Sequence, residues 1–435
     1  MPVNMRYVCC VNQNLSIAEG LTGLQTFSRM PPALNALSPV TVDDIEGRYE
    51  FVDELGEGAS SKVFLAAPRD APETEVAIKV LDATALAADD EQCAAVLAEV
   101  RALQEVRHPH VVALVETCRD ASSFAIVTEG LTGGDLFQRL KESGDPLNEP
   151  VAKVIFAQCC SALEYLHQCG YCHRDVKAEN IVCVDDEQRQ DVVKLIDLGS
   201  SAPIVASDGA HIPLSGLHAT AHYCAPEIIT STGGFGGVEA TNLPYDERCD
   251  LWSLGVLLYF ILSRKLPFAA SKERIAGRAP SDGAEDEDGL LRRVADGSYT
   301  FEPASVWEQV SAEAKDLISK LMKKSPDERL GWEGVRAHPW CAASIQERDA
   351  AVAKWFDSEG IQRVNKKRSP PAPGGGTKSA LRWDGSGGAV ERRAHAAAAA
   401  SERLQAILAR KRRGGGATSC CNSATSDEQR AIAVV

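Results

Sequence analysis

His173-Arg174-Asp175-Val176-Lys177-Ala178-Glu179-Asn180 follows an amphipathic helical pattern, Val151 to His167, and precedes an apolar strand-like run, Ile181 to Val184. By itself such a polar octet could be a surface loop. A second strand-like run, Val192 to Ile196, ends in Asp197-Leu198-Gly199. Adjacent strand ends then present Asn180 and Asp197 as oxygen donors, the hard ligands that magnesium prefers. Asp175 is left to orient a hydroxyl and accept its proton, and Lys177 can offset charge on a moving phosphoryl group.

Upstream, Leu55-Gly56-Glu57-Gly58-Ala59-Ser60-Ser61-Lys62-Val63 joins the end of one strand to the start of another. Two glycines one residue apart let backbone amides approach a phosphate, although a tight hairpin needs glycine for its own reasons. Val76-Ala77-Ile78-Lys79 follows, and its period of two puts Ala77 and Lys79 on one face. A lysine directed into a cleft is disfavoured by desolvation and calls for a carboxylate partner. Glu99 is the candidate, in a helical stretch from Asp89 to Val106 where Val96, Leu97, Val100 and Leu103 recur at three- and four-residue intervals.

These motifs together resemble the eukaryotic protein kinases, over Tyr49 to Trp340. The resemblance implies an α+β, bilobal fold: a small antiparallel sheet with one helix, residues 49–125, capping a mainly helical lobe, residues 132–340, with ATP between them. It implies that Leu55, Gly56, Gly58, Val63 and Ala77 enclose the nucleotide, that Lys79 holds its phosphates and that Glu99 positions Lys79. Thr128, Glu129 and Leu131 would lie at the hinge beside adenine, with Asp135 near the ribose. Asp175 is the expected base, assisted by Lys177, and Asn180 and Asp197 the expected magnesium ligands. Ala225-Pro226-Glu227 is similar to the end of an activation segment, Glu227 pairing with Arg329, and Asp250 would anchor the catalytic loop.

Lys177 two residues after Asp175, and Thr220 five before Ala225, resemble the serine/threonine rather than the tyrosine kinases. Ser325 to Leu330 and His338-Pro339-Trp340 are similar to the calcium/calmodulin-dependent group. In that group and its relatives, acidic residues at the positions of Asp135 and Glu179 favour an arginine three residues before the target. Ser61 replaces a third loop glycine, Leu198 replaces the usual phenylalanine, and Phe260 stands where some relatives carry a further glutamate. None of these removes a catalytic group. A catalytically silent pseudokinase scaffold is the alternative. A small-molecule kinase would lack the Ala225-Pro226-Glu227 platform. A phosphate on Ser215 could pair with Arg174 and order the segment between Gly199 and Ala225.

The bounds agree with this reading. The chain has 435 residues, 44% apolar and 25% charged, with no run approaching a membrane span and no secretory signal from Met1 to Met30. A cytoplasmic address is expected, with the nucleus as second choice. Fourteen cysteines lack a disulfide or zinc spacing. The pairs Cys9-Cys10 and Cys420-Cys421 could take a lipid or be incidental. Residues 1–47 read as a flexible leader, residues 271–289 as a solvated acidic insertion that fails the calcium-loop spacing, and residues 360–435 as a low-complexity tail. The net charge of −15 conceals a basic segment, Ile361 to Arg413, that carries +10. Within it residues 389–413 form an expected amphipathic helix, of a kind that calmodulin can grip or an acidic cleft can bind in cis. Nuclear targeting, an anionic surface or a plain disordered tail are the other readings; nucleic acid is not expected as a partner, and protein substrates are.

Overall fold

The computed structural model describes residues 34, 37, 40–41, 44–57, 61–184, 191–206, 208–232, 240–269 and 287–361. Its first lobe is built on one twisted sheet. The strands are β1 (Val40–Thr41), β2 (Tyr49–Glu57), β3 (Ser61–Pro68), β4 (Val76–Asp82), β5 (Leu114–Arg119) and β6 (Ser123–Glu129), in the order β1-β5-β6-β4-β3-β2. All neighbours are antiparallel except β1 and β5. Alternation along the strands gives the sheet two apolar faces. Ile78, Cys118, Ala125 and Val127 gather on one, and Leu81, Phe124 and Ile126 join the larger core shared with the helices.

Two sequence expectations change here. The leader, read as loose to residue 47, contributes β1, the buried Leu34 and the short helix α1 (Ile45–Arg48), whose Asp44 cap accepts from the amides of Glu46 and Gly47. A two-residue strand that covers a sheet edge is too short to show a period, yet it satisfies part of the edge of β5. The small lobe also runs past residue 125, because β6 continues to Glu129 before the chain crosses at Gly130.

Between β4 and β5 lie α2 (Ala83–Ala88) and α3 (Asp90–Glu105). Asp89 caps α3 by accepting from the amides of Glu91 and Gln92, both at 3.0 Å. The buried stripe of α3 is Cys93, Val96, Val100 and Leu103, with Glu99 set among them.

The second lobe contains α4 (Leu136–Ser143), α5 (Glu149–Gln168), β7 (Tyr171–Cys172), β8 (Ile181–Cys183), β9 (Val193–Leu195), β10 (Ala202–Pro203), α6 (Pro226–Thr232) and α7 (Arg248–Ser263). It closes with α8 (Glu287–Asp296), α9 (Ala304–Trp307), α10 (Ala312–Leu321), α11 (Trp332–Ala337) and α12 (Ala342–Glu359). In α7 every residue from Cys249 to Ser263 is buried, which identifies it as the post around which this lobe is packed. Helix α12, which no sequence expectation covers, packs along α5.

Only the end of the acidic insertion is described, where Glu287–Gly289 opens α8. Residues 362–435, with the expected helix 389–413, and the two terminal cysteine pairs lie outside the described residues. The described cysteines are all free thiols, and no helix among the described residues is long and apolar enough to cross a membrane.

Candidate active site

The cleft between the lobes begins on β4. Cross-strand register pairs Lys79 with Val63 and with Ile126, and Ala77 with Leu65 and with Thr128. Val63, Ala77, Lys79 and Thr128 therefore share one face of the sheet. From it the Lys79 ammonium reaches both carboxylate oxygens of Glu99, each at 2.9 Å, and lies 4.0 Å from Asp197 Oδ1. Burial alone would lower the Lys79 pKa, but Glu99 and then Asp197 outweigh it and hold the ammonium above its ordinary value. Gly199 fits beside this cluster because it has no side chain: a Cβ there would come within 2.9 Å of Asp197 Oδ1.

Leu55 lies at a register shift in β2 and is 53% exposed, and Gly56 pairs with Val63. Gly58 is outside the described residues.

The octet forms the floor of the cleft and is held from below by Asp250, which is fully buried. Its carboxylate accepts from the amides of His173 and Arg174, both at 2.8 Å, and from His167 Nε2 at 2.7 Å. Trp332 Nε1 donates to His167 Nδ1 at 3.0 Å, which fixes the proton of that imidazole on Nε2. Burial pushes the Asp250 carboxyl up, but the donors, His167 first, bring it below its ordinary value. With these amides held, Arg174 adopts a left-handed conformation, φ 70°, and Asp197 another, φ 56°.

Above this anchor Asp175, Lys177 and Thr220 meet. Asp175 Oδ2 is 2.7 Å from Lys177 Nζ, and Asp175 Oδ1 accepts from both the hydroxyl and the amide of Thr220, at 2.7 and 3.0 Å. Lys177 also donates to the Thr220 hydroxyl at 2.8 Å. Burial acts to raise the Asp175 carboxyl; the Lys177 charge and the hydrogen bonds from Lys177 and Thr220 outweigh it, so the group stays ionised. Asn180 donates its amide to Asp175 O at 2.8 Å and Oδ2 at 3.3 Å, which leaves its side-chain oxygen for another role. Asp197, its side chain 46% exposed, accepts from the Gly199 amide at 3.0 Å. Two oxygen donors, one neutral and one anionic, at the end of a cleft that carries Lys79 suit a hard divalent cation between phosphate oxygens.

Thr128, Glu129 and Leu131 lie where β6 ends and the chain crosses between the lobes. The Glu129 carboxylate does not face the cleft but accepts from the Ala113 amide at 2.8 Å and pairs with Lys194 at 2.5 Å. The Glu129 amide is also taken, donating to Ala113 O at 3.0 Å, so neither it nor the carboxylate is left for a ligand. Gly130 crosses so close to β4 that a Cβ would lie 2.6 Å from the Glu75 carbonyl carbon. Asp135 caps α4, accepting from the Gln138 amide at 2.8 Å. Near it, one oxygen of Glu179, Oε2, is buried without a hydrogen-bond partner among the described residues.

The segment after Asp197 is tied down along its length. β10 pairs with β7, and Arg174 Nε donates to Ser200 O at 2.6 Å. Leu214 and Tyr245 exchange backbone hydrogen bonds of 2.9 and 3.0 Å, while the Tyr245 hydroxyl donates to Gly216 O. Ser215 is exposed beside this contact. Glu227 and Arg329 form a bidentate pair at 2.6 and 2.9 Å. The role of Thr220 is absent from the sequence-derived site set; its spacing of five before Ala225 was the available signal.

The family model of the protein kinase domain matches residues 49–341. A probable serine/threonine-protein kinase of Dictyostelium discoideum is 33% identical over 300 residues, 68% of this chain and 37% of the relative. A probable myosin light chain kinase of the same organism is 30% identical over 318 residues, 72% of each chain. A calcium/calmodulin-dependent protein kinase type 1 of Macrobrachium nipponense is 30% identical over 317 residues, 71% of this chain and 80% of the relative. The chain thus spans little more than a third of the first relative and most of the other two.

Proposed function

We propose that this chain, which belongs to the protein kinase family, uses ATP and magnesium to phosphorylate serine or threonine on protein substrates. The observation that carries the proposal is the continuous line from Glu99 through Lys79 to Asp197, with spacings of 2.9 and 4.0 Å. In that line a cationic group already faces the place where phosphate oxygens would lie, so little reorganisation is left for the reaction.

Each residue has a part in this reading. Lys79 orients the phosphates and Glu99 keeps it in place. Asp175, ionised and hydrogen-bonded through Oδ1 to Thr220, accepts the proton of the incoming hydroxyl, which must displace part of that contact. Lys177 lies against charge that develops on the transferred group. Asn180 and Asp197 would hold magnesium, which supplies charge neutralisation at the phosphates when bound. The backbone at Leu131 would meet the adenine edge.

A preference for basic residues before the target is the finer part of the proposal. It rests on Glu179, whose buried, unpartnered Oε2 lies in a region that also holds Asp135 and Asp175. A buried carboxylate oxygen without a donor is costly, and an arginine from a substrate would supply two. The basic tail, by this reading, regulates in cis or through calmodulin.

The test is transfer of labelled phosphate from ATP with magnesium to a peptide library with arginine fixed three residues before serine or threonine. The wild-type chain is expected to favour the arginine peptides, and Asp135→Asn with Glu179→Gln to lose most of that preference. Asp175→Asn should bind ATP normally and lose about 10²–10⁴-fold in turnover. Full turnover in Asp175→Asn sinks the assignment of the base, and silence of the wild type favours the scaffold reading. A truncation that asks whether the tail inhibits should end after Ile361, because α12 runs to Glu359 and Ile361 still packs on the core.

A further inference from the structure

Helix α12 lies beyond the residues that the family model matches. Its last turn nevertheless reaches the loop that ends α3. Phe356, 3% exposed, packs with ring-centre separations of 5.3 Å to Tyr165 on α5 and 6.2 Å to His108. His108 stacks on Tyr165 at 5.2 Å, shares a hydrogen bond of 3.1 Å with Ser161 and accepts the His110 amide at 3.1 Å. One turn back, the Glu105 carboxylate accepts from the Tyr171 hydroxyl at 2.9 Å.

The C-terminal end of α3 is therefore fastened to the second lobe by Glu105 and by the His108 cluster. Glu99 sits on the same helix about 9 Å upstream of Glu105, at a rise of roughly 1.5 Å per residue. A short helix moves as one body, so displacement of its end carries Glu99 off Lys79. Next to Phe356 the packing is open: a cavity of about 240 Å³ is lined by His108, Ser161, Tyr165, Arg336, Asp349 and Phe356, among others. Phe356 and His108 both line that opening, so their ring contact is made at its wall.

We propose that Phe356 is a positioning residue: by backing His108 it holds the end of α3 and so keeps Glu99 on Lys79. The kinetic part of this proposal rests on the kinase reading above; the structural part does not.

The test uses the full chain with Phe356→Ala, Phe356→Leu and Ile345→Ala. Ile345 is 4% exposed on the same helix, about 16 Å from Phe356 by helical rise, and controls for general loss of packing. Melting temperature, KM for ATP, kcat, and hydrogen exchange of residues 97–106 are measured for each. Phe356→Ala is expected to lower kcat/KM for ATP at least 10-fold and to lose protection in residues 97–106. Phe356→Leu should recover most of both, and Ile345→Ala should lose melting temperature alone. The proposal fails if Ile345→Ala and Phe356→Ala change exchange and kinetics in parallel, or if Phe356→Ala changes neither. Phe356→Val takes the place of the alanine variant should that one not fold. If the wild type transfers no phosphate, the kinase reading fails, and the exchange measurement alone decides the positioning role.

Discussion

Asp250→Asn removes one charge and converts one acceptor into a donor at the point where the catalytic loop is held. The wild-type carboxylate takes three nitrogen donors, two backbone amides at 2.8 Å and His167 at 2.7 Å, with no exposure to water. An asparagine oxygen can satisfy only part of this set, and its amide hydrogens face groups that also donate. His167 and the His173 amide share Oδ2 and the Arg174 amide faces Oδ1 alone, so an asparagine oxygen at Oδ2 loses the Arg174 bond; at about 1.5–3 kcal/mol for a hydrogen bond to a charged group, that loss costs about 1.5–3 kcal/mol. That is a large share of the roughly 5–15 kcal/mol by which domains are stable. Released from its amide contact, Arg174 is expected to leave its left-handed conformation, which for a residue with a Cβ is unfavourable by roughly 1–2 kcal/mol. Asp175 would then lose its register with Lys177 and Thr220. Urea unfolding followed by tryptophan fluorescence should show the stability loss, and phosphate transfer should fall at least 100-fold. Because the folded Asp250 carboxyl lies below its ordinary value, its stabilisation is present above the unfolded value and is lost as pH falls through the folded one. The gap between wild type and variant should therefore narrow in acid. A loss under about 1 kcal/mol with normal turnover would refute the anchoring argument.

Lys79→Met leaves the Glu99 carboxylate, 5% exposed, without its cation and should cost about 3–5 kcal/mol. Adding Glu99→Leu should restore most of that stability with no return of activity, a non-additivity that a double-mutant cycle in urea detects. His110 is held neutral by burial, its pKa lowered to about 4. Since the unfolded imidazole protonates near pH 6.5, stability present above that pH is lost as pH falls toward 4, by about 1.4 kcal/mol per unit. Unfolding midpoints at pH 7 and pH 5 should show this fall, and His110→Gln should reduce it. Gly130→Ala must move the Glu75 backbone, 2.6 Å from the added methyl, and should cost about 1–3 kcal/mol while raising KM for ATP.

The groups nearest the chemistry were legible because each sits in a short stretch whose neighbours fix its direction. The period of β4 puts Lys79 with Ala77, the stripe of α3 places Glu99 on its buried side, and Asn180 immediately precedes β8 while Asp197 follows β9. What the sequence concealed are contacts between distant segments. Thr220 meets Asp175 across 45 positions, and Phe356 meets His108 across a still longer separation, with no local pattern to announce either. Glu129 keeps its expected place at the hinge, and nothing local shows that its carboxylate turns to Ala113 and Lys194. The start of the chain was read as loose because β1, which pairs along the edge of β5, and Leu34, buried in the larger core, show no periodicity of their own.

These long-range contacts converge on the first two turns of α7. Asp250 holds the catalytic loop, the Ser253 hydroxyl donates to Tyr223 O at 2.8 Å, and the Arg248 carbonyl accepts from Arg329, which also grips Glu227. Arg329 lies 5.4 Å from the Trp252 ring, within cation–π range. One helix, apolar on every side, thus fixes three segments that come from different parts of the chain: the loop with Asp175, the strip with Tyr223 beside Thr220, and the turn before α11. The distances between Asp175, Lys177 and Thr220 lie between segments that this one helix holds, so they do not depend on the small lobe. The Lys79–Glu99 pair has no such post. It depends on the sheet, on α3 and on what backs the end of α3, which makes the small-lobe half of the site the part that conformational control can act on.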